Sequence, residues 1–304
     1  MNKLSAGRGL LLGFPESRDV AARVAAAADV DFAEVAVHKF PDGESRIALP
    51  CPLPDNVLVF RSLDKPNEKL VELVLAAAAA RQLGARRLTL VAPYLCYMRQ
   101  DKAFSPGEAI SQQVIGKLLA DYFDAVLSVD PHLHRVHRLA DAIPVKAAVS
   151  ITAAAAMSEY LDGHLENPIL IGPDEESEQW VASIARRSKL EYYVASKQRM
   201  GDREVVVSLP GAAYGGRHVV LVDDMASTGR TLAAASRELC RYQPASITVM
   251  VTHALFVGDA LAKITAAGVG QVWSSDSIPH SSNCISLAGS LARALRELNY
   301  DAPL

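Results

Sequence analysis

At 304 residues the chain is long enough for two domains, each with its own core. Half of the residues are hydrophobic, yet no apolar run reaches the roughly 18–20 residues of a membrane span, and a net charge of -3 gives no bulk attraction for nucleic acid. The N-terminus lacks a basic region followed by an apolar core, and Cys51, Cys96, Cys240 and Cys284 show no Cys-x-x-Cys spacing, so a cytoplasmic protein with ordinary thiols and no membrane or nucleic-acid partner is expected.

Short apolar segments recur at 57–60, 88–91, 125–129, 169–171, 205–207, 219–222 and 247–251. Between many of them lie stretches of helical periodicity at 68–83, 110–122, 178–187 and 232–241. The alternation predicts an α/β protein with mainly parallel sheets covered on both faces by helices. The alanine runs 76–80 and 153–156 read as tightly packed helices. Asp141 to Val145 interrupts the pattern, and Ser150 is expected to cap a new helix through Tyr160. The domain boundary is therefore placed near 148, separating 1–148 from 149–304. Residues 286–298 read as a final amphipathic helix, expected to pack on the first domain. No repeat relates the two halves by sequence.

Several of these segments meet turns that carry chemistry. Phe40-Pro41-Asp42-Gly43-Glu44 is a turn with an aromatic and two acids. Arg99, Gln100 and Lys102 emerge after the 88–91 strand, where the cations suit phosphates and the amide suits a base or sugar. His132, His134 and His137 follow the 125–129 strand, but no second Cys/His cluster completes the four ligands of a closed zinc site. Asp174 ends the 169–171 strand and suits a divalent cation such as Mg²⁺. Lys197, Arg199 and Arg203 lie in a basic loop able to close over a transferring phosphoryl group.

Residues 219–232 carry the strongest signal. A buried strand delivers Asp223 and Asp224, then Ser227, Thr228, Gly229 and Thr231 form a turn at a helix start, which seats a phosphate on backbone N–H groups. Like charge keeps the acids off that phosphate, so they are left for sugar hydroxyls or a metal. A phosphorylated sugar fits both. No Gly-x-x-x-x-Gly-Lys-Ser/Thr loop is present.

The 219–232 stretch resembles the ribose 5-phosphate loop of the type I phosphoribosyltransferase fold. Over nearly the whole chain, and in the same order, the segments resemble the phosphoribosyl pyrophosphate synthetases (ribose-phosphate diphosphokinases). That resemblance implies two tandem type I phosphoribosyltransferase-like domains. It implies transfer of the diphosphoryl group of Mg-ATP to the C1 hydroxyl of ribose 5-phosphate. By the same likeness Phe40, Asp42 and Glu44 reach the ATP of a neighbouring subunit in a homo-oligomer, and Arg99, Gln100 and His132 bind ATP. His132 and Asp174 match metal-associated positions, and Lys197 and Arg199 match the Lys-x-Arg of a catalytic flexible loop. Asp223, Asp224, Ser227, Thr228, Gly229 and Thr231 match the ribose 5-phosphate site, and residues 107–111 are closer to the non-allosteric archaeal-type branch.

Three departures accompany the likeness. Ser227 and Arg230 replace Asp and Gly of many synthetases, as is common in phosphoribosyltransferases. Glu176 and Ser177 stand where the family usually has glycines, adding bulk and negative charge beside the expected diphosphate. Two alternatives follow: a phosphoribosyltransferase using the same loop, or a weak or silent nucleotide-binding regulatory protein.

Overall fold

The computed structural model describes residues 9–200 and 204–298, with side chains at 198–200 and 204–206 outside that description. The chain forms two compact units, one from residues 9–151 with 287–298 and one from the described part of 152–286. The boundary expected near 148 falls inside a strand of the first unit, which the chain leaves after Ile151.

The first unit contains β1 (Leu10–Gly13), α1 (Arg18–Ala28), β2 (Asp31–Glu34), β3 (Ala36–Lys39), β4 (Ser45–Ala48), β5 (Asn56–Phe60) and α2 (Pro66–Gln82). It continues with β6 (Arg87–Ala92), α3 (Ser111–Tyr122), β7 (Ala125–Val129), α4 (Leu139–Ala142) and β8 (Ala147–Ile151). Its sheet runs β2-β1-β5-β6-β7-β8, with parallel pairing throughout. β3 and β4 form a separate antiparallel hairpin. The central strands are buried along their length because helices cover both faces. The alanine run on α2 serves close packing: Ala76, Ala77 and Ala80 are fully buried in this unit's core.

The second unit contains α5 (Ala154–Asp162), β9 (Ile169–Gly172), α6 (Glu178–Ser188), β10 (Tyr192–Val194), β11 (Ser196–Met200), β12 (Glu204–Ser208) and β13 (His218–Ala226). After these come α7 (Arg230–Cys240), β14 (Ser246–Ala254), α8 (Ala260–Ala266), β15 (Gln271–Ser275) and β16 (Asn283–Ile285). The sheet order is β10-β9-β13-β14-β15-β16, again parallel, with β11 and β12 as a separate hairpin. The last helix, α9 (Ala288–Glu297), rejoins the first unit, where Arg296 Nη1 donates to Ala27 O at 2.8 Å.

The two units share one plan. In each, a parallel strand pair is followed by a hairpin, then by the strands that complete the sheet. This repeat is invisible in residue identity because it lives in element order.

Three local expectations are corrected. Residues 205–207 belong to hairpin strand β12, not to a parallel sheet. Ser196–Met200 is the strand β11, where a loop was expected, because alternating residues there pair with β12 from Ser196↔Ser208 to Met200↔Glu204. Ser150 lies within β8, and the following helix begins at Ala154, whose N–H is met by Thr152 Oγ1 at 3.2 Å.

Candidate active site

Parallel sheets present their ligand sites at the carboxyl ends of the strands, and the second unit gathers its chemistry there. β13 extends past the expected 219–222 to Ala226, so Asp223 and Asp224 are successive strand residues and not a turn. Asp223 pairs with Val251 of β14 in register, and its Oδ1 accepts the Asp224 N–H at 2.9 Å. Asp224 is buried and Asp223 half-buried. Burial first, and then the negative charges of Asp224 and Asp174, push the Asp223 carboxyl well above its usual range. Three carboxylates, two on β13 and one just after the neighbouring strand β9, thus act on one another.

Asp174 follows the end of β9 at Gly172 and is nine-tenths buried. Its Oδ2 accepts from Lys197 Nζ of β11 at 2.8 Å, so the hairpin cation reaches the acid cluster directly. The turn after Asp174 differs from the expected obstruction. Ser177 is fully buried, and its hydroxyl accepts the Asp174 N–H at 3.3 Å and donates to Asp174 O. That hydroxyl sits under Gly172, where a Cβ would come within 2.5 Å of it. Ser177 is therefore a cap that shapes the turn from beneath, while Glu175 and Glu176 are exposed.

The phosphate-seat turn follows β13. Gly229 is the N-cap of α7 with φ +69, a left-handed conformation natural to glycine. A Cβ there would meet Ala260 O and Ile264 Cγ2 at 3.1 Å, so α8 backs the loop closely. Ser227 and Thr231 are half-buried and Thr228 is exposed at the start of this 11-residue helix. A strap beyond β14 braces the other side: Phe256 N–H donates to Ala226 O at 2.8 Å and Val257 N–H to Ser227 O at 3.0 Å. Phe256 adopts φ +33 to do so. Sequence reading missed this strap. Its signal was the polar pair Thr252-His253 ending an apolar strand, with His253 Nδ1 in contact with Ser277 Oγ at 2.9 Å.

The backbone of Arg199 lies in β11, and its side chain lies outside the described residues.

In the first unit Phe40, Asp42 and Glu44 occupy the tip of the β3–β4 hairpin. Phe40 N–H donates to Glu44 O at 2.8 Å, Gly43 N–H to Phe40 O at 3.0 Å, and Glu44 N–H to Asp42 Oδ1 at 3.2 Å. All three side chains are exposed, with the Phe40 ring edge-on to His38 at 4.8 Å. Arg99 and Gln100 follow β6, and Gln100 Oε1 accepts from Ser111 Oγ at 2.6 Å, which ties that segment to the start of α3. His132 follows β7, half-buried and edge-on to His134 at 4.5 Å. The structure thus gathers Asp174, Lys197, Asp223 and Asp224 within the second unit, whereas the ATP-associated positions lie on the first. Within that unit they occupy separate segments.

Comparison with known proteins agrees with this arrangement. Residues 10–122 match the family described as the N-terminal domain of ribose phosphate pyrophosphokinase, and residues 142–263 match the phosphoribosyl transferase domain. A protein of Methanopyrus kandleri named ribose-phosphate pyrophosphokinase is 31% identical, covering 95% of this chain and 99% of its own. One of the same name from Methanobrevibacter smithii is 31% identical, over 95% of this chain and all of its own length. Both relatives are archaeal, consistent with the archaeal-type likeness of residues 107–111. The fold matches a crystal structure of phosphoribosylpyrophosphate synthetase from Mycobacterium smegmatis with a TM-score of 0.83 over 97% of this chain and 100% of that one, at 22% identity. A phosphoribosyltransferase alone would not account for the first-domain match. The chain belongs to the ribose-phosphate pyrophosphokinase family.

Proposed function

We propose that the protein transfers the β,γ-diphosphoryl group of Mg-ATP to the C1 hydroxyl of ribose 5-phosphate. The C1 oxygen bonds to the β-phosphorus, the bond from that phosphorus to the α–β bridging oxygen breaks, and AMP leaves with that oxygen. The products are phosphoribosyl pyrophosphate and AMP. The observation that carries this reading is the meeting of Lys197, Asp174 and the Asp223–Asp224 pair beside a helix-start phosphate seat.

Such a transfer asks little covalent chemistry of the protein and much alignment and charge compensation. Ser227, Thr228, Gly229 and Thr231 hold the 5-phosphate against the first turn of α7. Asp223 and Asp224 accept hydrogen bonds from the ribose hydroxyls and so orient C1. Lys197 and Arg199 stabilise the charge that grows on the transferring group. Phe40, Asp42, Glu44, Arg99, Gln100 and His132 hold ATP, with the hairpin tip serving the site of a neighbouring subunit in a homo-oligomer.

The donor set fits a hard divalent cation. Three carboxylates crowd one another enough to raise Asp223, and an oxygen-binding cation relieves that repulsion. Asp174 would hold Mg²⁺, which when bound would neutralise phosphate charge and favour displacement at phosphorus. Among the described residues no helix is long and apolar enough to cross a membrane.

Lys197→Ala tests the chemistry. Turnover is expected to fall by about a hundredfold or more while the KM values change by less than about threefold, because the cation acts on charge formed in the transition state. A rise in KM with turnover intact would remove Lys197 from that role.

A further inference from the structure

The β3–β4 hairpin has no backbone pairing to the six-stranded sheet of its unit. A two-stranded hairpin alone is marginal in water, and Val37 and Lys39 of this hairpin line a cavity of about 680 Å³ together with Pro15, Glu16 and Arg61 of the body. Val37 and Ile47 pack against the core of the unit, and polar contacts add to this hold nearer the tip.

Helix α2 places a buried carboxylate beside the hairpin. Glu72 on α2 is 2% exposed. Its Oε1 accepts from Ser45 Oγ at 2.8 Å and lies 3.6 Å from Lys39 Nζ, while its Oε2 accepts from Arg61 Nη2 at 2.5 Å. Lys39 and Ser45 are directly opposite each other across the hairpin and flank the Phe40–Glu44 turn. Glu72 therefore touches both strands at the last rung before the tip, and Glu68, one turn earlier on α2, adds a hydrogen bond from Lys39 Nζ to the hold on β3. Arg61 is itself immobilised: Nε donates to Glu16 at 2.8 Å, Nη1 to Lys69 O at 3.0 Å, and the guanidinium lies 3.7 Å from the Phe14 ring centroid. Burial opposes the charge on Glu72, but hydrogen bonds from Arg61 and Ser45 and the charges of Arg61 and Lys39 outweigh it and hold its pKa below the usual range.

The second unit uses the same slot differently. There the β11–β12 hairpin is held through Lys197 to Asp174, an acid at the strand-end edge itself. The first unit instead places its acid on helix α2, against the last rung before the hairpin tip, as a fixed anchor.

We infer that Glu72 is a positioning residue for the nucleotide: by clamping Lys39 and Ser45 it orients the hairpin tip that presents Phe40, Asp42 and Glu44 to ATP. This rests on reading the tip as an ATP-binding segment. The test is steady-state kinetics of Glu72→Gln and Ser45→Ala in the full chain, with Phe40→Ala as the reference. Glu72→Gln is expected to raise the KM for ATP about tenfold or more and to leave the KM for ribose 5-phosphate within about twofold. Ser45→Ala, which spares the Arg61 pair, is expected to move the ATP KM the same way by a smaller factor. A purely structural role would lower the melting temperature without separating the two KM values, and that result overturns the inference. An ATP KM raised by Phe40→Ala but by neither other variant also overturns it while leaving the tip's role intact. No effect of Phe40→Ala on the ATP KM removes both together.

Discussion

Replacing Gly229 by alanine perturbs the phosphate seat with the least change in chemistry. The residue has φ +69, and a left-handed backbone costs an L-residue about 1–2 kcal/mol. The added methyl also meets Ala260 O and Ile264 Cγ2 at 3.1 Å, and the first of these is backbone and yields little. The cost sums to about 2–3 kcal/mol if the loop holds its conformation. If the loop shifts to escape it, the N–H groups of α7 lose their aim at the 5-phosphate, and about 2 kcal/mol of binding corresponds to a roughly thirtyfold weaker site. Either route has a readout. Calorimetric melting reports the first, and the KM for ribose 5-phosphate against that for ATP reports the second. The expected outcome for Gly229→Ala is a ribose 5-phosphate KM up by about ten- to thirtyfold, or a clearly lowered melting temperature, with the ATP KM little changed. An unchanged melting temperature together with an unchanged ribose 5-phosphate KM would refute the loop as the phosphate seat.

Further outcomes follow from the acids and the turn. Burial, then Asp224 and Asp174, raise the folded-state pKa of Asp223 above its unfolded value, so its contribution to stability is lost as pH rises towards that folded pKa. Without Mg²⁺, Asp223→Asn should melt higher than the parent at about pH 8, with the gain vanishing below about pH 3, where folded and unfolded states are both protonated; a gain independent of pH would contradict the shift. Ser177→Ala removes a fully buried cap and should cost about 1 kcal/mol, seen as a lowered melting temperature. If activity rose instead with stability unchanged, Ser177 would be an obstruction in the site.

Legibility in the sequence followed burial and chemistry. Strands rich in valine between helices, such as 57–60 and 219–222, stood out because they are covered on both faces. β1 was missed although it is central, because Leu10–Leu12 lacks the β-branched residues that mark a short strand. β15 and β16 were missed because their polar Ser and Asn residues bond locally: Asn283 Nδ2 donates to Ser275 O at 2.6 Å. At the site, the acids and the Ser/Thr/Gly turn were readable because their types dictate their chemistry. The anchor at Glu72 was not, since a glutamate at helical spacing looks like any solvated one until Arg61 and Ser45 are brought to it. Ser177 misled for the opposite reason. Its identity suggested bulk in the pocket, and only the fold turned its hydroxyl inward.

The central claim, that the activated sugar is made here, is tested most directly by following phosphorus. In a mixture of the protein, Mg²⁺, ribose 5-phosphate and ATP carrying heavy oxygen on its γ-phosphoryl group, phosphorus NMR should show AMP rising in step with a diphosphate ester on C1 that carries the label. Formation of ADP with a labelled monophosphate ester, or no consumption of ATP at high protein concentration while nucleotide still binds, would contradict it.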